Sequence, residues 1–168
     1  MDNIIVLTAS YAYLVAVAIF VGYFFYIRGA ARWRFFLLSA FALPLSYLSS
    51  LIAGFLYYDP RPFVVLHVVP LISHAADNGF PSDHALLMGT LAAIVTVFNR
   101  RIGALLWALA ILVGVARVLA AVHHPIDILA SFVIAIAAAA LAYALSVAIL
   151  GLKETKTMSA AKANIAPE

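Results

Sequence analysis

Cysteine is absent from the chain, so a disulfide framework, a thiolate metal site and a cysteine nucleophile are all excluded. Charge is scarce. Asp, Glu, Lys and Arg make up 10% of the 168 residues, against about 25% in soluble domains. Internal repeats, low-complexity linkers and any composition break marking a second domain are also missing. Hydrocarbon fills the chain instead: 67% of the residues are apolar and the mean hydropathy is +1.11. A compact soluble fold of this length leaves much of its surface in water and cannot hide that amount. A soluble enzyme, a nucleic-acid-binding module and a disordered protein are therefore excluded. The expected fold class is all-α, a polytopic integral membrane helical bundle.

A spanning helix needs about 20 apolar residues. Five segments meet or approach that length: about Ile4 to Ile27, Phe35 to Tyr57 with Pro44 as an expected kink, Pro81 to Phe98, Ile102 to Val122, and Pro125 to Leu152. The third is short, which places its N-terminal end below the membrane surface. Met1-Asp2-Asn3 carries no basic region and the apolar run behind it is too long for a signal-peptide core, so a retained span is expected. Residues 1–152 form one transmembrane domain in this reading, and Lys153 to Glu168 form a polar, frayed cytoplasmic tail.

Basic residues set the expected orientation, because short cytoplasmic loops are enriched in Lys and Arg. Arg28, Arg32, Arg34, Arg100, Arg101, Lys153, Lys156 and Lys162 all fall on one side, which leaves the N-terminus outside and the C-terminus cytoplasmic. That bias also accounts for the net charge of +3 and the pI near 9.3 without an acidic partner. The opposite side holds Arg61, Arg117, all five histidines (His67, His74, His84, His123, His124) and Asp59, Asp77, Asp83 and Asp127. Ionisable residues at membrane depth mark a functional site by default.

Three short stretches carry the chemistry. In Asp59-Pro60-Arg61-Pro62-Phe63 the flanking prolines restrict the backbone and remove two N–H donors, holding the guanidinium on a stiff turn. Arg61 can grip a phosphate bidentately, although alone it reads rather as an interfacial anchor of a helix end. Phe80-Pro81-Ser82-Asp83-His84 opens the third span with Ser82 at the N-cap, where free N–H groups and the helix dipole favour an anion. Capping explains Ser82 and Asp83 but not His84, which can donate a proton. In Arg117-x5-His123-His124-Pro125-Ile126-Asp127, a carboxylate four residues after a histidine can fix its tautomer and stabilise the imidazolium. A histidine so oriented beside an arginine suits nucleophilic attack on phosphorus, and a purely structural His–Asp contact is the alternative.

Together, Arg-Pro, Pro-Ser-Asp-His and Arg-x5-His-x3-Asp in this order resemble the type 2 phosphatidic acid phosphatase (PAP2) superfamily. Asp59 to Phe63, His74-Ala75-Ala76-Asp77, Phe80 to His84 and Val122 to Leu129 are similar to the bacitracin-resistance type of undecaprenyl-diphosphate phosphatase. The resemblance covers the second to fifth spans. It implies a metal-independent, cofactor-free phosphatase of the bacterial plasma membrane with its active site facing outward. By position, His123 is then the nucleophile, Asp127 its orienting partner and His84 the general acid. Arg61, Arg117 and Ser82 bind the phosphoryl group, with Asp83, His74, His67 and His124 in secondary places. The implied partners are a polyprenyl or other lipid phosphate and the surrounding membrane lipids, with no nucleic acid; oligomeric state is not indicated. Three positions depart from the broad superfamily pattern: Gly54 stands for its Lys, Ala116 for its Ser and Asp83 for its Gly.

Other readings compete less well. A zinc site is disfavoured because the adjacent His123 and His124 project differently and no common zinc spacing is present. A transporter is disfavoured because five spans do not divide into repeats and the polar residues cluster at one face. A non-catalytic lipid-phosphate-binding protein is a further alternative, given Gly54 and Ala116. Within the enzyme class, phosphatidylglycerophosphate, phosphatidic acid and lipid A 1-phosphate are alternative substrates. Small residues such as Gly103, Gly114 and the Ala135 to Ala140 stretch permit close helix packing, and equally suit a plain alanine-rich span.

Overall fold

A computed structural model describes residues 2–163, with side chains described through residue 150. Helices carry the fold: α1 (Asp2–Tyr26), α2 (Gly29–Leu56), the single turn α3 (Pro62–Val65), α4 (Asp83–Phe98), α5 (Arg100–Leu119) and α6 (Pro125–Ala163). Among the described residues there is no strand, only an isolated bridge between Pro60 and Asn78. Four helices, α1, α2, α5 and the Pro125–Leu150 part of α6, are long and apolar enough to cross a membrane. At 16 residues α4 is ~24 Å long, short of a ~30 Å hydrocarbon core. Its shortness suits its place, for α4 is the central post and packs against α1, α2, α5 and α6.

Helix boundaries depart from the expected spans where polar residues join the helices. Helix α2 starts at Gly29 rather than Phe35, so Arg32 and Arg34 lie on its first turns rather than in a loop. The Arg32 guanidinium donates to the carbonyls of Ile27 (2.8 Å) and Phe25 (3.0 Å), groups that a helix C-terminus leaves without partners. Helix α5 stops at Leu119 instead of Val122, because Ala121 adopts a left-handed φ of 58°. The backbone of α6 stays helical to Ala163, past the expected end at Leu152. Residues 164–168 of the polar tail lie outside the described residues.

Phe35, Leu38, Met88, Ile94, Val95, Leu106 and Val113 form the interior. At the end away from the histidines, Phe35 gathers Phe20 (ring centroids 4.9 Å apart), Phe98 (5.3 Å) and Tyr23 (5.6 Å), locking α1, α2 and α4 together. Such aromatic pairs add about 0.5–1.5 kcal/mol each beyond area burial. The outer faces are as apolar as the core; Ile4, Leu14, Leu51, Phe55, Ile111, Val133 and Leu141 stand exposed, as lipid-facing residues do. Close approach falls at two glycines. A Cβ on Gly103 would run into Thr96, and one on Gly114 would lie 2.6 Å from Ile128 Cγ2. The fold is that of a multi-pass membrane bundle.

Candidate active site

Two connections meet at the N-terminal end of α4: the long loop 57–82 and the turn 120–124. Backbone bonds join them, from Phe63 N to Ala121 O (3.2 Å) and from Leu71 N to Ala120 O (3.2 Å). Within the loop, Asn78 uses all four of its hydrogen-bonding positions. Its Oδ1 accepts from the backbone of Asp59 (2.9 Å) and Phe80 (3.0 Å), and its Nδ2 donates to the carbonyls of Gly54 (2.9 Å) and Tyr57 (3.0 Å).

That clamp sets Arg61 on its Pro-flanked turn. The side chain is almost fully buried, with Nε donating to Asp77 Oδ1 at 2.7 Å and Nη1 to the Val122 carbonyl at 2.8 Å. The guanidinium hydrogen bond holds the Asp77 carboxyl below the usual carboxylate range. Arg117, in the last turn of α5, is buried too, and its Nη1 donates to the Ala9 carbonyl of α1 at 3.2 Å.

Between the two guanidinium groups lies His123. Its Nδ1 stands 3.2 Å from Asp127 Oδ2, while its Nε2 lies 3.4 Å from Arg61 Nη1 and 3.3 Å from Arg117 Nη2. A carboxylate accepts only, so the Asp127 contact assigns the proton to Nδ1 and leaves a lone pair on Nε2 facing the arginines. Burial pushes the His123 imidazole below its ordinary value, with both guanidiniums adding to the effect and Asp127 opposing it. Asp127 is itself fully buried in the first turn of α6, and Oδ2 also accepts from the His124 backbone at 2.8 Å. The Ser131 hydroxyl, 2.7 Å from Asp127 O and 2.9 Å from Ser82 O, ties α6 to the start of α4.

Ser82 occupies the N-cap position of α4 as expected, but its hydroxyl makes no capping hydrogen bond. It is fully buried without a partner, and Arg117 Nε shares that condition. Buried donors in native folds are normally satisfied, so two orphaned donors, one of them on an arginine that reaches the His123 lone pair, fit an anionic ligand. His84, in the first turn of α4, packs edge-on against Tyr13 at 5.0 Å between ring centroids. His74 is largely exposed, its ring centroid 6.4 Å from that of His123, and the partial loss of water on its inner side, followed by the two guanidiniums, lowers its pKa. His124 turns away, with Nε2 3.2 Å from the Pro60 carbonyl. Asp83 is exposed on the first turn of α4. His67 is exposed after α3 with its Nδ1 3.1 Å from Val65 O, and no contact joins it to His123 or the arginines among the described residues.

Asp59 and Asp77 carry no assigned role in the sequence reading, where they stand only in the ionisable cluster and the motif strings, and Asn78 is not singled out there, yet all three build the site. The Asn78-Gly79 dipeptide is a turn signal, and it was the available clue. The structure also accounts for Gly54: a Cβ there would lie 3.0 Å from the Phe80 carbonyl, so the loop occupies the space a lysine would need. Ala116 is buried, 5% exposed. Among the described residues, no group of three or more His, Asp or Glu is placed to hold a metal ion.

Residues 35–149 match the PAP2 superfamily. The chain is 43% identical over 96 residues to undecaprenyl-diphosphatase BcrC of Bacillus subtilis (strain 168), covering 56% of this chain and 47% of that protein. It is 38% identical over 91 residues to the putative undecaprenyl-diphosphatase YbjG of Escherichia coli (strain K12), covering 54% and 46%. The matched region thus spans about half the length of these curated relatives. Among solved structures, Aquifex aeolicus LpxE superposes with a TM-score of 0.66 at 23% identity over 84% of both chains, which is a likeness of fold. With its helical bundle, its histidine between two arginines and a match over most of its length, the chain belongs to the PAP2 superfamily.

Proposed function

We propose that this chain is a membrane lipid phosphatase that hydrolyses undecaprenyl diphosphate to undecaprenyl phosphate and inorganic phosphate at the extracytoplasmic face, through a phosphohistidine. The observation that carries the reading is the His123 lone pair, held at 3.3–3.4 Å from two buried guanidinium groups with Asp127 behind the ring. Phosphoryl transfer asks mainly for positioning and for charge neutralisation at the equatorial oxygens. Arg61, Arg117, the Ser82 hydroxyl and the N-terminus of α4 supply both. The substrate class rests on the similarity to the two undecaprenyl-diphosphatase relatives.

In the first step His123 Nε2 attacks the terminal phosphorus and the bond to the bridging oxygen breaks. His84 protonates that oxygen, and undecaprenyl phosphate leaves. Asp127 stabilises the positive charge that develops on the imidazole. In the second step water attacks the phosphohistidine, His84 takes the water proton, the N–P bond breaks and inorganic phosphate departs. His123 returns with its Nε2 lone pair restored.

Phosphate release from undecaprenyl diphosphate by detergent-purified protein in EDTA, with His123→Ala alongside, tests the reading. Release that survives EDTA and vanishes in the variant is the expected result. Release that persists in the variant contradicts the nucleophile. Release only from phosphatidylglycerophosphate, phosphatidic acid or lipid A 1-phosphate contradicts the substrate while leaving the reaction class intact.

A further inference from the structure

The His123–Asp127 pair leaves one atom unexplained. Oδ2 of Asp127 accepts from His123 and from the His124 backbone, but Oδ1 is buried with no partner among the described residues. A carboxylate oxygen stripped of water and offered no donor bears the full desolvation penalty. Next to the pair stands another acid, Asp59: its Oδ1 lies 3.8 Å from Nε2 of His124, whose backbone N–H holds Asp127 Oδ2. Asp59 is held from both sides of its backbone: its N–H donates to Asn78 Oδ1 at 2.9 Å and its carbonyl accepts from Gly79 N at 2.8 Å. Gly79 makes the approach feasible, since a Cβ there would lie 3.2 Å from Asp127 Oδ2 and 3.3 Å from the Asp59 carbonyl.

Two carboxylates in one sheltered site do not both ionise readily, and a shared proton resolves the conflict. The Asp59 side chain is 16% exposed, and burial followed by the Asp127 charge pushes its carboxyl up, with His124 opposing. The ionisable groups facing Asp59 are Asp127 from α6 and His124 from the preceding turn, whose Nε2 lies 3.8 Å from Asp59 Oδ1. The neighbouring Arg61 sends its guanidinium to Asp77, Val122 and Asn78 instead.

We propose that Asp59 is a positioning residue whose carboxyl O–H donates to Oδ1 of Asp127 and so fixes Asp127 Oδ2 on the His123 Nδ1–H. The inference rests on the reading of His123 and Asp127 given above and adds a third member behind them. While Asp59 keeps its proton, the two acids carry one negative charge to balance one imidazolium. Loss of that proton sets a second negative charge against Asp127 and loosens it from His123, which adds to the alkaline loss that deprotonation of the general acid His84 brings.

The test uses the full chain in detergent, with Asp59→Asn and Asp59→Ala compared for kcat, KM and pH profile on undecaprenyl diphosphate. Infrared difference spectra of the same samples follow the C=O stretch of a protonated carboxylic acid. An amide N–H can replace the acid O–H toward Oδ1, whereas alanine leaves the oxygen orphaned. Asp59→Ala is expected to lower kcat by about 10- to 100-fold, by analogy with the loss of an outer partner that orients a metal-ligating histidine, with KM little changed. Asp59→Asn is expected to keep most of the wild-type kcat, to hold activity to higher pH, and to lack the protonated-carboxyl band that the wild type shows near neutrality.

Wild-type turnover and pH profile in both variants would overturn the proposal. So would equal loss in both while each still elutes and melts as a folded protein, or a carboxylic-acid band that persists in Asp59→Asn. A wild type that releases no phosphate from undecaprenyl diphosphate sinks the substrate reading alone, because the infrared band still decides the state of Asp59.

Discussion

The Nε2 lone pair of His123 is useful only while the imidazole is uncharged, and the site is built to keep it so. Burial disfavours the imidazolium, and Arg61 and Arg117 repel it from the side where an anion would lie. The sign for activity follows. As pH falls through the ordinary histidine range, His123 stays neutral, and turnover is lost only once pH passes its lowered pKa. A kcat/KM profile is therefore expected to hold its plateau below the ordinary histidine value, and an acid limb at or above that value would count against the arrangement. Arg61, Ser82, Arg117, His123 and Asp127 were legible in the sequence because each sits in a motif of a few contiguous residues whose chemistry is local. Asp59 and Asp77 were legible only as members of the ionisable cluster and of the motif strings, and Asn78 not at all, because what they do depends on partners far away in sequence: Asp77 meets Arg61 16 residues back, and Asn78 reaches Gly54 24 residues back.

At the scale of elements, the loop 57–82 has little regular structure and is held by side-chain bonds instead. Asn78→Ala would leave two backbone N–H groups and two carbonyls without their partners. At roughly 1 kcal/mol net for each bond, that is about 4 kcal/mol of local stability, enough to free the loop that carries Arg61. Thermal unfolding in detergent is expected to shift downward and phosphate release to fall together; an unchanged melt with full activity would remove Asn78 from the scaffold. The helices themselves were legible as apolar runs, and their ends less so. Arg32 and Arg34 look like loop residues by charge, yet Arg32 serves the open C-terminus of α1 from within α2. Ser82 marked the start of α4, but its hydroxyl is left unbonded rather than capping, a choice made by burial and invisible to position.

For the whole molecule, composition alone excluded a soluble fold, because an apolar content of 67% exceeds what a core of this size can hide from water. Composition did not reveal that α4, the shortest of the five main helices, is the central post, which only packing against all four long helices shows. Orientation is open to a clean experiment, since the chain has no cysteine to create background. With the histidine face outward as proposed, a membrane-impermeant thiol reagent on intact cells is expected to label His67→Cys and to spare Arg100→Cys. The reverse pattern would place the site on the cytoplasmic side.

Of all measurements, the trapping of the covalent intermediate bears most directly on the mechanism. Acid-labile, alkali-stable phosphate is sought on protein quenched during turnover of lipid labelled in its terminal phosphate, followed by peptide mapping. The label is expected on the peptide holding Val122-His123-His124, at His123, and absent from His123→Ala. Steady phosphate release with no labelled peptide, or with the label on another residue, would contradict a phosphohistidine at His123.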